Sequence, residues 1–155
     1  MALIELYSDK ILEIAGNAPQ PGRLAAPQAS ARKVSRVCGS LIDVDIVVTD
    51  GIISAYGHEV SACALGQTSA AIVAREIVGT PLESFLVVSQ QMRDMLKAEG
   101  KAPDGKWSDL GYLEAVREYP ARHASTLLVF EAVGEALKKI QQNQKWTSID
   151  WIYAK

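Results

Sequence analysis

The sequence predicts an α+β domain in which a small antiparallel sheet carries helices on one face. Three observations predict it. From Val37 to Val48 the side chains alternate, with Ile42, Val44, Ile46 and Val48 on one face and Asp43 and Asp45 on the other. Asp50-Gly51 is a hairpin signal, and Ile52 to Tyr56 returns as the partner strand. After that hairpin the apolar spacing becomes helical and stays so. Strands gathered ahead of a run of helices fit α+β better than an alternating α/β order.

The elements follow in order. Leu3 to Ile14 places Ile4, Tyr7, Ile11 and Ile14 at helical spacing, and the turn chemistry of Asn17 to Gly22 ends that helix. Ala15 to Ile42 contains no acidic residue but holds Arg23, Arg32, Lys33 and Arg36. It reads as an extended arm or loop that either steers an acidic partner or is simply solvated. Ser40 lies near the start of the strand with the parity of its apolar face, and Asp43 and Asp45 read as a solvated outer face, with Glu59 given no special role. Ala62 to Val78 is a small-residue apolar helix stopped by Gly79. Thr80-Pro81-Leu82-Glu83 has the order of N-cap, first-turn proline and capping-box glutamate, and a helix with Leu82, Phe85, Leu86, Met92, Met95 and Leu96 follows to about Gly100. Lys101 to Lys106 is a polar loop, Leu110 to Arg117 a short helix, and Pro120 opens a final helix to about Gln142. Residues 1–155 form one domain with a core from about 6 to 142. The aromatic tail 145–155, with Trp146, Trp151 and Tyr153, either packs on the body or docks a partner, and Trp107 is ambiguous in the same way.

Composition narrows the function. Of 155 residues, 48% are hydrophobic and 22% charged, an ordinary globular balance, and the net charge of −2 gives no reason to expect nucleic acid or an anionic membrane. No apolar run approaches the roughly 20 residues that span a bilayer, and Met1 to Leu6 shows no signal-peptide pattern. The expectation is a cytoplasmic protein with reduced thiols. Its two cysteines are far from the density of a disulfide-built domain.

Those cysteines are the candidate chemistry. Cys38 enters the first strand and is followed by Gly39, which lets a bound group approach the backbone. Cys63 lies at the start of the apolar helix, where free N–H groups stabilise a thiolate. Arg36 adds positive charge near Cys38. Read by themselves, the two are either soft ligands exposed side by side or small buried hydrophobes, and neither belongs to a C-x-x-C pair.

Val37-Cys38-Gly39 ahead of an alternating strand, Asp50-Gly51-Ile52-Ile53, Tyr56-Gly57, and Cys63 opening a helix with Thr68-Ser69-Ala70-Ala71 together resemble the U-type iron–sulfur cluster scaffold family (IscU, SufU and the N-terminal domain of NifU). Leu6 to Ile11 with Asn17 and Pro19 resembles that family's N-terminal helix. Leu110 to Ala115 with Tyr119-Pro120-Ala121-Arg122 resembles the SufU-type stretch before the third family cysteine. The resemblance, from about Leu6 to Lys139, implies a SufE/NifU-like sandwich and a scaffold rather than an enzyme. Such a scaffold takes sulfur from a cysteine desulfurase, assembles a [2Fe–2S] cluster or holds iron on Cys38 and Cys63, and passes the cluster to apo-proteins. It implies as alternatives a zinc-binding, persulfide-relaying protein of SufU type, or a member that binds partners without metal.

The chain departs from the family pattern at three positions. Ser40 stands at the family's aspartate, Ser125 at its third cysteine, and Ala124 where a histidine is common. Hydroxyls are weak ligands, and a metal site normally takes at least three protein ligands. His58, in a segment read as an inserted loop, and His123, near the start of the final helix, are the available substitutes. Arg122 would contact the site or a desulfurase. Two chains could supply four thiolates to one cluster, which admits a homodimer.

Overall fold

The computed structural model describes residues 7–37 and 39–153, with side chains as far as Asn143. It begins with α1 (Asp9–Gly16), capped by the Ser8 hydroxyl, which accepts from the Ile11 amide at 3.3 Å. The sheet has three antiparallel strands in the order β1 (Ala29–Ser35), β2 (Ser40–Thr49), β3 (Ile52–Ser61). Then come α2 (Ala64–Glu76), α3 (Leu82–Lys97), a run of 3₁₀ turns over Gly105–Glu118, a further turn at Pro120–Arg122, and α4 (His123–Tyr153). Helix α4 lies on β1 and β2, α2 lies beside α4 and against β3, and α1 and α3 complete the helical layer. This is the α+β arrangement expected from the sequence.

The covered face of β2 is the one its alternation marks: Ile42, Val44, Ile46 and Val48 are all buried. Asp50 and Gly51 both take positive φ, 52° and 78°, so the β2–β3 hairpin turns as the Asp-Gly pair requires. The core continues through Leu65, Ile72, Phe85, Met92 and Phe130, each fully buried. Trp107 belongs to it, 5.7 Å from Phe85 in an edge-to-face contact.

Several expectations need correction. The basic arm contains a strand, β1, hidden because Ala29 to Ser35 lacks an apolar period; its register sets Arg32 opposite Asp43 and Ser30 opposite Asp45. The outer face is therefore not simply solvated. Asp45 is 1% exposed and receives Arg23 Nε at 2.6 Å, Arg23 Nη2 at 2.9 Å, the Leu24 amide at 3.0 Å and the Ser30 hydroxyl. Arg32 pairs with Asp43, and Lys33 with Glu135 of α4 at 3.1 Å. Three of the arm's four cations, Arg23, Arg32 and Lys33, therefore meet partners within the chain. Glu59 is exposed, with its Oε1 3.8 Å from Arg23 Nη1.

Strand β3 runs on to Ser61, so the segment after Tyr56 is ladder rather than inserted loop. Thr80 does not cap α3, whose N-cap is Pro81; its hydroxyl instead donates to the Glu76 carbonyl at the end of α2 and accepts from Lys106. In the 3₁₀ run Trp107, Leu110, Leu113 and Val116 are buried at a spacing of three, the period of that helix, where a short α-helix was expected. Helix α4 starts at His123 rather than Pro120 and continues beyond Gln142, while the tail's rings lie outside the described side chains.

Candidate functional site

Three chain segments start at one place. Cys63 is the N-cap of α2, in extended conformation, and its carbonyl accepts the first helical bond from Gln67 at 2.9 Å. Ser125 is in the first turn of α4, fully buried, with its Oγ 3.1 Å from Cys63 Sγ. Ser40 is the first residue of β2, 1% exposed, with its Oγ 3.3 Å from that of Ser125. The result is a line of polar atoms, Ser40–Ser125–Cys63, that ends on a half-buried sulfur.

Gly66 makes this approach possible. A Cβ there would lie 2.8 Å from Ala62 Cβ and 3.0 Å from Ser125 Oγ, so only glycine lets α4 start this close to the first turn of α2. Sequence reading missed Gly66; its only signal is its position one helical turn after Cys63. Ser35, opposite Ser40 in the β1–β2 register, is also buried, and its hydroxyl has no hydrogen-bond partner among the described residues.

The electrostatics favour ionised sulfur. Partial burial pushes the Cys63 thiol up, but the Ser125 hydroxyl, the Gly66 and Leu65 amides at the helix start and the positive charge of Arg122 outweigh it, and the net shift is downward. Arg122 thus acts on the site as a cation. Cys38 lies outside the described residues, between Val37, 72% exposed, and Gly39.

The two histidines are engaged elsewhere. His58 sits in β3 opposite Val44, four residues along from Ser40 and so roughly 13 Å up the ladder at about 3.3 Å per residue. It is buried, with Nδ1 2.9 Å from Tyr56 Oη, and burial lowers its pKa to about 4, which keeps it neutral. His123 donates from Nε2 to the carbonyls of Val116 at 3.0 Å and Arg117 at 3.2 Å, closing the end of the 3₁₀ run. Among the described residues no three His, Cys, Asp or Glu side chains gather where they could hold a metal ion. What the described pocket offers is one acidified thiol backed by neutral hydroxyls.

Comparison with known proteins places the fold. No family model matches the chain. A crystal structure of a nitrogen-fixing NifU-like protein (N-terminal) from Brucella abortus is 43% identical, covers 89% of this chain and 96% of its own, and superposes with a TM-score of 0.87. The iron–sulfur cluster assembly scaffold protein IscU of Thermotoga maritima is 26% identical over 137 residues, 88% of this chain and 96% of the relative. A putative scaffold protein for the SUF system from Fervidobacterium islandicum shares the fold at 18% identity and a TM-score of 0.78, over 85% of this chain and 96% of that one. The chain belongs to the U-type iron–sulfur cluster assembly scaffold family.

Proposed function

We propose that this protein holds iron, or a nascent iron–sulfur cluster, through the thiolates of Cys63 and Cys38 and passes the cluster to apo-proteins. The carrying observation is Cys63 itself. Its sulfur is half-buried, held at a helix N-terminus, and shifted toward the thiolate by Ser125, two backbone amides and Arg122. Thiolate sulfur is the ligand that ferric and ferrous iron in clusters take. Cys38 enters on the sequence, where Val37-Cys38-Gly39 opens the first family strand.

The cluster is cargo here, and the protein is a carrier rather than an enzyme, working in the cytoplasm with sulfur supplied by a cysteine desulfurase. Ser40 and Ser125 stand where stronger ligands occur in the family; in this reading Ser125 donates a hydrogen bond to the Cys63 sulfur with Ser40 behind it, and neither binds iron. Zinc binding through these serines gains nothing from the pocket, since a neutral hydroxyl is a poor ligand for that ion.

The test is anaerobic reconstitution with ferric iron, sulfide and a thiol reductant, followed by desalting and iron analysis. The wild-type protein is expected to keep iron, sulfide and visible-range absorbance. Cys63→Ala and Cys38→Ala should each lose most of both, and a labelled apo-ferredoxin should take the cluster from the wild type. Equal iron retention by the wild type and the Cys38→Ala/Cys63→Ala double variant would falsify the reading.

A further inference from the structure

We infer that the outer edge of β1 is a strand-addition site, and that it takes an extended acidic segment of the protein that receives the cluster. The edge follows from the fold alone; that its occupant is an acceptor rests on the scaffold reading above.

Hydrogen bonds on β2 show which way β1 faces. Val48 donates its amide to Gln28 Oε1 at 2.8 Å, and the Ile46 carbonyl accepts from the Gln28 amide at 3.0 Å. The even-numbered residues of β2 therefore bond toward β1, and the register pairs them with Ala29, Ala31, Lys33 and Ser35. The alternate residues Ser30, Arg32 and Val34 turn their amides and carbonyls away from the sheet. Two contacts agree. The Ser30 carbonyl accepts from Lys139 Nζ of α4 at 2.7 Å. The side chains of Ser30 and Arg32 meet Asp45 and Asp43, as side chains do across pairs that exchange no backbone bonds. Among the described residues no strand pairs with this edge, and Lys139 closes only its Ser30 end. Arg32 and Val34 are left with main-chain donors and acceptors facing out, the pattern that a further strand completes.

The side chains select the occupant. Val34 is 57% exposed and Val37 72% exposed, which gives apolar contact along and just beyond the open stretch. Arg32 spends Nε and Nη2 on Asp43, and Lys33 is paired with Glu135. Arg36 is exposed and has no ion-pair partner among the described residues. Asp43 and Asp45 are held by Arg32 and Arg23, and Glu59 lies two strands away on β3. The edge thus carries unmatched positive charge. A second copy of β1 would bring Arg32, Lys33 and Arg36 against their own kind, so a foreign segment bearing carboxylates fits where a second copy is repelled.

Hydrogen exchange with a short peptide of alternating valine and glutamate tests the site, and this arm needs no variant. Saturating peptide should slow exchange at the Arg32 and Val34 amides, and the same peptide with lysine for glutamate should leave it unchanged. Val34→Pro removes an outward amide but no β1–β2 bond, a change tolerated on an edge strand, and should weaken peptide binding about tenfold. Val34→Thr keeps the amide and should bind like the wild type. Arg36→Glu should weaken binding about fivefold at low salt and flatten its salt dependence. Circular dichroism checks that each variant is folded. Apo-ferredoxin should compete with the peptide, and cluster transfer to it should slow in Val34→Pro while iron retention stays at the wild-type level. Unslowed exchange at Arg32 and Val34, or equal binding by Val34→Pro and wild type, overturns the strand site. Slow exchange that depends on protein concentration without peptide gives the edge to a second copy and overturns the proposal as well. Peptide bound at the edge, with apo-ferredoxin neither competing nor slowed, overturns the acceptor as its occupant. A wild type that keeps no iron sinks the scaffold reading and the acceptor with it, and the peptide arm still decides the strand site.

Discussion

The two faces of β2 handle a buried polar group in opposite ways. On the outer face Asp45, 1% exposed, is met by a bidentate arginine, a backbone amide and a serine hydroxyl. Charge and lone pairs are both satisfied in place, and nothing is left to bind a ligand. On the inner face Ser40, equally buried, is neutral, and its bond leads through Ser125 to a thiol that is still half accessible. The first arrangement ties the segment before β1 to the sheet. The second leaves an acidified sulfur with coordination to spare. Burial alone does not separate a structural polar group from a reactive one; whether the chain of partners closes does.

The largest effect should come from opening the closed side. Asp45→Ala removes a buried partner from Arg23, Ser30 and Leu24 and is expected to cost about 3 kcal/mol. In a chain of this size that lowers Tm by roughly 6–12 °C, while iron bound per folded chain stays at the wild-type level. Cys63→Ala should do the reverse, keeping Tm within a few degrees and losing iron. If both variants lose both properties, the two faces are not separate devices.

Next in size is acid unfolding. The Arg23 guanidinium is the main cause that holds Asp45 at about 2, below the roughly 3.9 of a free aspartate, and Ser30 and Leu24 help. A depressed carboxylate stabilises the fold fully above its unfolded value and loses that contribution as pH falls through the folded one. About 2 kcal/mol should therefore disappear between pH ~4 and ~2, read as urea midpoints across that range. In Asp45→Ala the same plot should lose that component of its slope.

Gly66→Ala presses on the open side. Its Cβ would crowd Ala62 and Ser125, an overpacking cost of about 1–3 kcal/mol, partly offset by the better helix propensity of alanine at about 1 kcal/mol. Iron retention should fall more than stability does, because α4 is pushed off Cys63. Wild-type iron retention in this variant would mean that the Cys63–Ser125 contact is not needed.

The smallest effect is expected from Ser125→Ala in a Cys38→Ala background, where Cys63 is the single thiol. Losing the hydroxyl should cost about 1 kcal/mol and move the midpoint of its pH-dependent alkylation upward. Ser125→Thr should bring the midpoint back toward its parent. An unmoved midpoint assigns the lowered thiol to the helix start and Arg122 alone.

The sequence by itself determined what depends on local geometry. The covered face of β2 is visible because strand side chains alternate with the backbone pleat, and the hairpin is visible because Asp50 and Gly51 accept positive φ. Cys63 at a helix start and the Cys38-Gly39 pair could also be read, since each is a short motif. Strand β1 could not: its small and basic residues have no period, and they become a strand only because β2 presents Asp43 and Asp45 in register. His58 looked like a loop residue because nothing local shows that β3 runs past Tyr56 and buries it. The burial of Trp107, Leu110, Leu113 and Val116 has a period of three, which a search for the α-helical period blurs.

The pocket was decided only by the tertiary structure. Ser125 lies 85 residues from Ser40 and 62 from Cys63, and no local rule relates positions so far apart. What joins them is the packing of α4 on the sheet and beside α2, allowed at the point of contact by the missing side chain of Gly66. Chain periodicity is fixed by covalent geometry, but the partner that satisfies a buried polar atom is chosen by whatever the rest of the fold brings against it.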